Sequence, residues 1–422
     1  MQTFQAHSRI RPVLERLSGR PVYIWGAGQQ GRGMGRVLER QGVELRGYLD
    51  SSPQLHGRSA LGYPISPPEA VLQPAVPNGK PFVIIASFFF EKDIMERCRL
   101  AGLEAERDFI SYKDLKPFDY AIDVSGACNL RCLSCPRATR SHRHPPAGFM
   151  TPGVFTQVLD KILDEDPLVG NLQLYQWGEP LLNPQLPEIL GLANARGLPC
   201  ALSSNLNSTT NLEPVIAAGP AWFRISVSGV GREYERTHTG ATWAKLLKNM
   251  ESLAELRARL RPDMKTEVYY HLYRHNRDGS LDEVKRLCER FEFELHPVWA
   301  YLISLDDVLE YLEGGELTPQ AQEAAEMLAL GLEQGMALAR REIREKCLVD
   351  RCIHVNWNLT VSNCMMFFYP QDNIAAANFL ETPLEEILST RVKSSLCRRC
   401  RAQALHRYCN VYNTEQIEGA AA

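Results

Sequence analysis

Three cysteines crowd into one octapeptide, CNLRCLSC, which places thiols at Cys128, Cys132 and Cys135. Thiolates in this C-x3-C-x2-C spacing can wrap one small metal cluster, because so short a loop returns each sulfur to the same point. Iron–sulfur cubes usually take four cysteines, so three would leave one iron open to another ligand. A structural zinc site would need a fourth ligand, which His142 or His144 could supply. The spacing predicts a metal centre and leaves zinc as the alternative to iron.

The octapeptide resembles the signature of the radical S-adenosylmethionine (radical SAM) enzymes. In that family the three cysteines hold a 4Fe–4S cluster, and S-adenosylmethionine (AdoMet) chelates the open iron. Reductive cleavage of AdoMet gives a 5'-deoxyadenosyl radical that abstracts hydrogen from a substrate. The resemblance implies an electron donor such as flavodoxin or ferredoxin, and it assigns no catalytic side chain. The basic run that follows, Arg137 to His144, is expected to form a solvated or substrate-facing loop.

A second motif follows about 45 residues later, where an apolar stretch predicted as a strand (172–177) runs into Gly178 and Glu179. GEP at a strand end resembles the family's second motif. The resemblance implies that Gly178 and Glu179 hold the amino group of AdoMet. It also implies lesser contacts with AdoMet or substrate at the ends of two later strands, from Ser204, Asn205 and Ser226.

Strands and helices alternate through the middle of the chain, which predicts an α/β fold with a parallel sheet. Six predicted strands lie at 120–124, 172–177, 201–204, 222–227, 266–273 and 294–299. Active-site loops at the carboxyl ends of such strands are what a β/α barrel requires. Together with both motifs, the pattern resembles the radical SAM partial (β/α)6 barrel, which we expect over residues 113–305.

The first 112 residues predict a separate Rossmann-like domain. A strand (22–25) leads into a turn with Gly26, Gly28 and Gly31 in G-x-G-x-x-G spacing, then a helix to about Arg40 and a second strand that ends at Asp50. Glycines let a phosphate approach the turn, and an acid about twenty residues later can accept from a ribose hydroxyl.

Segments of this head domain also resemble the small nucleotide-sugar-binding domain found in some sugar acyltransferases and other carbohydrate-modifying enzymes. The segments that carry the resemblance are WGAGQQG, GYLDSS and GYPI. It implies a small-molecule substrate such as a nucleotide sugar. A docking module that recruits a partner protein is the open alternative.

Six further cysteines lie close to the carboxyl terminus. The segment VNWNLTVSNC resembles the strand–turn–strand of the SPASM or twitch extension of radical SAM enzymes, expected here over residues 347–422. That resemblance implies one auxiliary 4Fe–4S cluster, with Cys352 and Cys409 as spare candidates and zinc as the alternative. The implied ligands are Cys347, Cys364, Cys397 and Cys400. Residues 306–346 before them predict a helical bridge of two helices.

Composition narrows the class of protein. The 422 residues carry a formal net charge of −3, with 45% hydrophobic and 23% charged residues, which fits a globular protein and gives no push toward nucleic acid. The longest apolar run, residues 81–90, is too short to cross a bilayer. Twelve cysteines favour metal binding in a reducing compartment. We therefore expect a cytoplasmic protein without nucleic-acid or membrane partners.

These features predict oxidation or epimerisation of a carbohydrate or nucleotide-sugar-like substrate by a radical SAM enzyme, helped by an auxiliary cluster. The first alternative is a SPASM-type maturase that modifies a precursor peptide or protein. The second is a zinc-binding scaffold without catalysis.

Overall fold

The computed structural model describes residues 14–17, 19–72, 80–87, 89–115, 118–139, 147–166, 169–368 and 373–414. The chain forms two compact units. The first takes residues 1–119 and 159–172, and the second takes residues 120–158 and 173–422. The four segments expected from the sequence stay a prediction. No helix among the described residues is long and apolar enough to cross a membrane.

The first unit is built on a six-stranded sheet in the order β3-β4-β2-β1-β5-β6. Its strands are β1 Val22–Trp25, β2 Leu45–Leu49, β3 Ser59–Ala60, β4 Tyr63–Ser66, β5 Phe82–Ile85 and β6 Phe109–Ser111. Its helices are α1 Gln29–Arg40, α2 Glu91–Leu100 and α3 Tyr112–Leu115. All neighbours pair in parallel except β3 with β4. The parallel strands thus follow the 3-2-1-4-5 order of a doubly wound sheet.

Two glycines of the turn after β1 are required by packing. Gly26 has a φ of +114°, and a Cβ there would lie 2.6 Å from the carbonyl oxygen of Ala86. A Cβ on Gly31 would lie 1.7 Å from the carbonyl oxygen of Gly26. Gly28 has an ordinary φ of −74° and open space where its Cβ would be. Only Gly28 is therefore free of a packing role.

The second sheet has nine strands in the order β12-β11-β10-β9-β8-β7-β13-β14-β15. The strands are β7 Asp119–Ile122, β8 Leu172–Gln173, β9 Cys200–Ser204, β10 Trp222–Val227, β11 Lys265–Leu272, β12 Glu294–Trp299, β13 Cys352–Val355, β14 Val361–Ser362 and β15 Ile374–Ala376. Strands β9 to β12 pair in parallel, whereas β13 to β15 pair antiparallel. The carboxyl-terminal tail therefore continues the sheet of the barrel, which the sequence did not predict.

Helices alternate with the strands of this sheet, as expected for a β/α barrel. They are α4 Pro136–Thr139, α5 Pro152–Glu165, α6 Leu186–Ala195, α7 Leu212–Ala218, α8 Arg232–Thr237, α9 Trp243–Leu260, α10 Gly279–Phe291, α11 Leu305–Leu312, α12 Pro319–Met327, α13 Leu332–Arg341, α14 Leu384–Lys393, α15 Ser395–Ala402 and α16 Tyr408–Thr414. The α/β class and the partial barrel are confirmed. The bridge between barrel and tail was predicted as two helices and has three, α11 to α13.

The strands β10 and β11 show which face of the barrel sheet is packed. Phe223, Ile225 and Val227 are fully buried on one face. The opposite face, which we call the inner face, carries the half-buried side chains of this pair, namely Arg224, Ser226, Lys265, Tyr269 and His271. Ser226 and Tyr269 are register partners. This pair of strands therefore presents polar, partly accessible side chains on one face.

The turn after β1 gives a matched test of packing. Gly31→Ala should lower the free energy of unfolding of the first unit by on the order of 2 kcal/mol, because helix and turn must move apart. Gly28→Ala should lower it by less than about 1 kcal/mol, because its Cβ meets nothing and only the preference for glycine over alanine at the helix N-cap is lost. Thermal unfolding followed by circular dichroism compares the two. Equal melting temperatures would contradict this account of the turn.

Candidate active site

The cysteine loop follows β7 and is held in place by backbone and side-chain contacts. The amides of Arg131 and Leu133 donate to the carbonyl oxygens of Thr239 and Thr237, at 3.0 and 2.9 Å. The Arg137 guanidinium, expected in a solvated or substrate-facing loop, is instead 4% exposed. It donates to the carbonyl oxygens of Trp177 and Gly126, both at 2.7 Å. Residues 140–146 lie outside the described part of the chain.

The three thiols of the loop converge. Burial raises the pKa of Cys132 well above its usual value, and the neighbouring Cys135 and Cys128 thiols raise it further. Burial also raises the pKa of Cys128 to about 11, with Glu179 as the next cause. A bound cation reverses this balance, since a coordinating thiol is deprotonated outright. Without a metal, the loop therefore holds three protonated thiols, which lose their protons when they coordinate iron.

The Asp123 carboxylate, 3% exposed, joins both motifs of the barrel. It lies one residue beyond β7 and accepts from the backbone amides of Gln176 at 2.8 Å and Trp177 at 3.1 Å, with Gly178 at 3.4 Å. These amides begin the loop that was predicted as the end of a strand over 172–177. The strand stops at Gln173, and the amides from Gln176 onward bond to Asp123 and not to a neighbouring strand.

The tail reaches the same carboxylate. The His354 ring on β13 is fully buried, with Nε2 3.2 Å from Oδ2 of Asp123 and Nδ1 3.1 Å from the Ser362 hydroxyl. The turn after β13 brings Trp357 so close to Gly126 and Gly148 that a Cβ on either would lie 2.2 Å from the indole. The tail thus packs directly beside the cysteine loop.

Gly178 and Glu179 are fixed by the chain around them. A Cβ on Gly178 would lie 1.7 Å from the carbonyl oxygen of Ser125, so only glycine fits. The Glu179 carboxylate accepts from the Ser204 hydroxyl at 2.8 Å and from the amides of Asn205 and Leu181 at 2.9 and 3.1 Å. Burial nevertheless raises its pKa to about 7. Its predicted contact with the AdoMet amino group stays a prediction.

The remaining barrel residues predicted to contact AdoMet or substrate lie at different points. Asn205, just after β9, points its amide nitrogen at the Cys128 sulfur at 3.8 Å and at the Asn129 side chain at 3.0 Å. The Ser204 hydroxyl donates a hydrogen bond to the Glu179 carboxylate. Ser226 lies on the inner face, where its hydroxyl has no hydrogen-bond partner among the described residues. Asn205 thus borders the thiols, and Ser226 does not contact them.

The four predicted auxiliary ligands also come together, and a fifth cysteine joins them. Burial raises the pKa of Cys400, and the thiols of Cys364, Cys347, Cys397 and Cys409 add to this in that order. Cys352 lies apart on β13. Within the described ranges, no three His, Cys, Asp or Glu side chains are placed to hold a single metal ion.

Cys409 connects this second cysteine group with the inner face. Its sulfur lies beside the Tyr301 hydroxyl, whose pKa rises well above the usual value through burial first and Cys409 next. Tyr269 and Arg224 are close enough to act on the same hydroxyl. Tyr273, just after β11, lies beside Ser134 of the cysteine loop, and burial raises its pKa to about 12.

In the head domain, the Asp50 carboxylate lies behind the glycine turn. It accepts from the amide of Ala27 at 2.9 Å and from that of Ser52 at 2.9 Å. Gly26 and Gly31 serve packing, and Gly28 faces open space. A role of these four predicted residues in ligand binding stays a prediction.

The donor sets fit the cofactors that the sequence implies. Three converging thiols suit a 4Fe–4S cluster with one open iron, and a group of four or five suits a fully ligated one. Backbone and amide groups of Glu179 and Asn205 border the first set, as a zwitterionic ligand such as AdoMet requires.

Several residues that build the site were missed by sequence reasoning. Asp123 was visible only as one acid within an apolar strand, and His354 as one histidine in the tail. Neither residue stands out in the sequence, since a single acid or histidine more often has no role in a functional site. Trp357 gave no signal, because its fit depends on two glycines far away in the chain.

Comparison with known proteins agrees with this geometry. Residues 122–271 match the Radical SAM superfamily, and this range contains the cysteine loop, the GEP motif and most of the barrel strands. This part of the chain, residues 122–271, is a radical SAM domain.

Two curated relatives are named AdoMet-dependent heme synthase. The one from Oleidesulfovibrio alaskensis is 30% identical over 127 residues, which cover 29% of this chain and 31% of the relative. The one from Nitratidesulfovibrio vulgaris is 27% identical over 176 residues, which cover 40% of this chain and 44% of the relative. The matches therefore span less than half of the length of either relative.

Solved structures with a similar fold include Streptococcus suis SuiB bound to S-adenosylmethionine, with 14% identity, a TM-score of 0.45, and coverage of 72% of this chain and 76% of that one. Native anSMEcpe with bound AdoMet has 13% identity, a TM-score of 0.44, and coverage of 71% and 92%. BtrN in complex with AdoMet and 2-DOIA has 14% identity, a TM-score of 0.39, and coverage of 70% and 91%.

The contact between tail and barrel can be tested at His354. His354→Leu leaves Asp123 with one donor fewer, which should cost about 1–3 kcal/mol of stability. A looser 176–178 loop should also weaken AdoMet binding, by roughly tenfold for each 1.4 kcal/mol lost in the complex. Equilibrium dialysis with labelled AdoMet measures the dissociation constant. His354→Gln keeps a donor and should restore most of the affinity, whereas unchanged binding in His354→Leu would leave His354 a purely structural role.

The raised pKa of Glu179 predicts a pH dependence of stability. The folded state keeps its proton up to about pH 7, whereas the unfolded carboxyl ionises near pH 4.5. The folded state therefore binds more protons in this window, and the stability of the cluster-free protein falls as pH rises through it. Between pH 5 and pH 7.5, the free energy of unfolding of wild type should fall by about 2 kcal/mol relative to that of Glu179→Gln.

Unfolding melts of both proteins at the two pH values measure this difference. Glu188→Gln, at an exposed glutamate near the loop, is the matched control and should follow wild type. If the free energies of unfolding of wild type and Glu179→Gln change by the same amount between pH 5 and pH 7.5, the Glu179 carboxyl group ionises normally.

Proposed function

We propose that this protein is a radical SAM oxidoreductase that dehydrogenates a carbohydrate or nucleotide-sugar-like substrate held on the inner face of the barrel, between two cysteine groups. The observation that carries the proposal is that both cysteine groups lie near side chains of the β10–β12 region. Tyr273, just after β11, lies beside Ser134 of the first cysteine loop, and Tyr301 lies beside Cys409 and near Tyr269 and Arg224 of the inner face. A substrate between them would lie within reach of both centres.

The residues of the chain would divide the work as follows. Cys128, Cys132 and Cys135 would hold the first cluster, and the second would take Cys347, Cys364, Cys397 and Cys400, with Cys409 as a neighbour. When bound, the first cluster supplies the electron that cleaves AdoMet into a hydrogen-abstracting radical, and the second can take up an electron from an oxidised substrate.

The protein itself positions and shields these groups. Asp123 fixes the 176–178 loop through its backbone amides. Glu179 fixes Ser204 and Asn205 beside the thiols. Trp357 covers the base of the cysteine loop. Such fixed dipoles and packed walls hold reactants in one geometry and keep water away from a reactive intermediate.

The head domain favours a substrate with a nucleotide part. Its strand order is that of doubly wound sheets, which bind ligands at the carboxyl ends of their strands. Gly28 is the point where a phosphate could approach, because a side chain there would meet nothing in the protein. Epimerisation of the same substrate class would use the same inner face, with the hydrogen returned instead of an electron removed.

A tetrapyrrole substrate is the second candidate. Both curated relatives are named AdoMet-dependent heme synthase, and their identity of 27–30% is the specific observation in its favour. The two candidates predict different products from one assay, so a porphyrin belongs in the substrate panel beside the nucleotide sugars.

Cysteine variants of the anaerobically reconstituted protein test the proposal. Wild type should bind about eight irons, four for each cluster. Cys397→Ala should bind about four, still form 5'-deoxyadenosine with dithionite and AdoMet, and lose product formation. Cys128→Ala should lose AdoMet cleavage altogether.

The matched control is Cys288→Ala, which removes a thiol from the buried side of α10 and should bind as much iron as wild type. Unchanged iron in Cys397→Ala would remove the auxiliary cluster from that group. A wild-type protein that takes up zinc and no iron would overturn the radical assignment as a whole.

A further inference from the structure

Arg224 presents a cation to the inner face of the barrel. Its Nε donates to Oε1 of Glu267 at 2.9 Å, and its guanidinium lies 3.8 Å from the centre of the Tyr269 ring. The Glu267 side chain is 4% exposed and that of Arg224 is 24% exposed. The two terminal nitrogens of Arg224 have no hydrogen-bond partner among the described residues.

This arrangement holds the guanidinium in one orientation. Glu267 fixes one edge through Nε, and Tyr269 fixes the plane by stacking, so the free end points along the inner face. An arginine fork of this kind matches a carboxylate or a phosphate, to which it can give two parallel hydrogen bonds. Packing alone would not leave both terminal nitrogens open.

The groups around Arg224 do not compete for it. Burial raises the pKa of Tyr175, whose ring lies 5.9 Å away, and lowers the pKa of His271 to about 4. Both are therefore neutral near pH 7. The Ser226 hydroxyl, one step further along β10, has no partner in the described chain. The surroundings thus offer neutral donors and acceptors, suited to hydroxyl groups.

The other acids and bases of these strands are paired with one another. Lys265 lies 2.6 Å from Glu294, and His296 lies 3.5 Å from both Glu294 and Glu267. The open end of Arg224 is therefore the cationic donor of the inner face that stays available within the described residues.

We propose that Arg224 is the anion-recognition residue of this protein and that the substrate carries a phosphate or carboxylate group beside its hydroxyls. The inference rests on the proposed function in placing the substrate on the inner face. It adds the chemical class, a polyhydroxylated anion. A phosphate would come from a nucleotide sugar or sugar phosphate, and a carboxylate from a sugar acid.

The test measures protection of individual arginines in the reconstituted full-length protein with AdoMet. Phenylglyoxal labelling of each arginine is followed by mass spectrometry while inorganic phosphate, acetate or acetamide is titrated at constant ionic strength. Phosphate or acetate at ten times its dissociation constant should slow labelling of Arg224 about tenfold. Acetamide, which has the shape of acetate without its charge, should not slow it. Protection by phosphate alone or by acetate alone identifies the source of the anion.

Arg257 is the internal control. Its terminal nitrogens already donate to the carbonyl oxygens of Glu292 and Phe291 and to the Glu292 side chain, so its labelling should not respond to the anions. Glu267→Gln should strengthen protection of Arg224, because the opposing charge is gone.

Three results would overturn the inference: labelling of Arg224 that neither anion slows, equal protection by acetamide, or no labelling at Arg224 while other arginines react. AdoMet cleavage by the same preparation reports separately on the proposed function, so the two can fail independently.

Discussion

One buried carboxylate, that of Asp123, ties the parts of the active site together. Three consecutive backbone amides that begin the GEP loop point at it, and a histidine from the tail approaches it from the other side. A buried carboxyl group is costly unless its hydrogen-bonding positions are filled. Here the groups that fill them belong to the second motif and to the added sheet. The same contacts that satisfy this carboxyl group thus set the position of both elements.

This constraint also explains which elements sequence reasoning could find. The cysteine loop and the strands β9 to β12 are local features, visible in spacing and in alternating apolar stretches. The strand predicted over 172–177 ends at Gln173, and Asp123, some fifty residues earlier, takes the amides of Gln176 and Trp177. The bridge breaks after Met327, where the Arg274 side chain donates to the carbonyl of Leu328 and the Arg274 amide to that of Met327. Neither partner can be read from the segment that it changes.

The continuation of the barrel sheet by the tail has the same origin. Asp123 donates its backbone amide to Val355 at 2.9 Å, and the two residues are far apart in the chain. Sequence reasoning found the tail through its cysteines and its strand–turn–strand segment, and it expected a small separate domain. The pairing of β13 with the barrel sheet instead places the second cysteine group and the first in one compact unit. The sequence therefore allowed a prediction of which cysteines lie together in each group, but not of how the two groups are placed relative to each other.

The charged side chains on the inner face of the barrel contribute little to stability, so a functional role explains them better. A buried ion pair such as Arg224 with Glu267 seldom stabilises a fold more than apolar residues of the same volume would, since both charges lose their water. Stacking on Tyr269 recovers part of that cost. The remaining cost persists at a place where two terminal nitrogens stay open and where the neighbouring histidine and tyrosine are neutral. A charge held at a net cost, oriented and left unpaired at one end, is the arrangement expected of a group that a ligand completes.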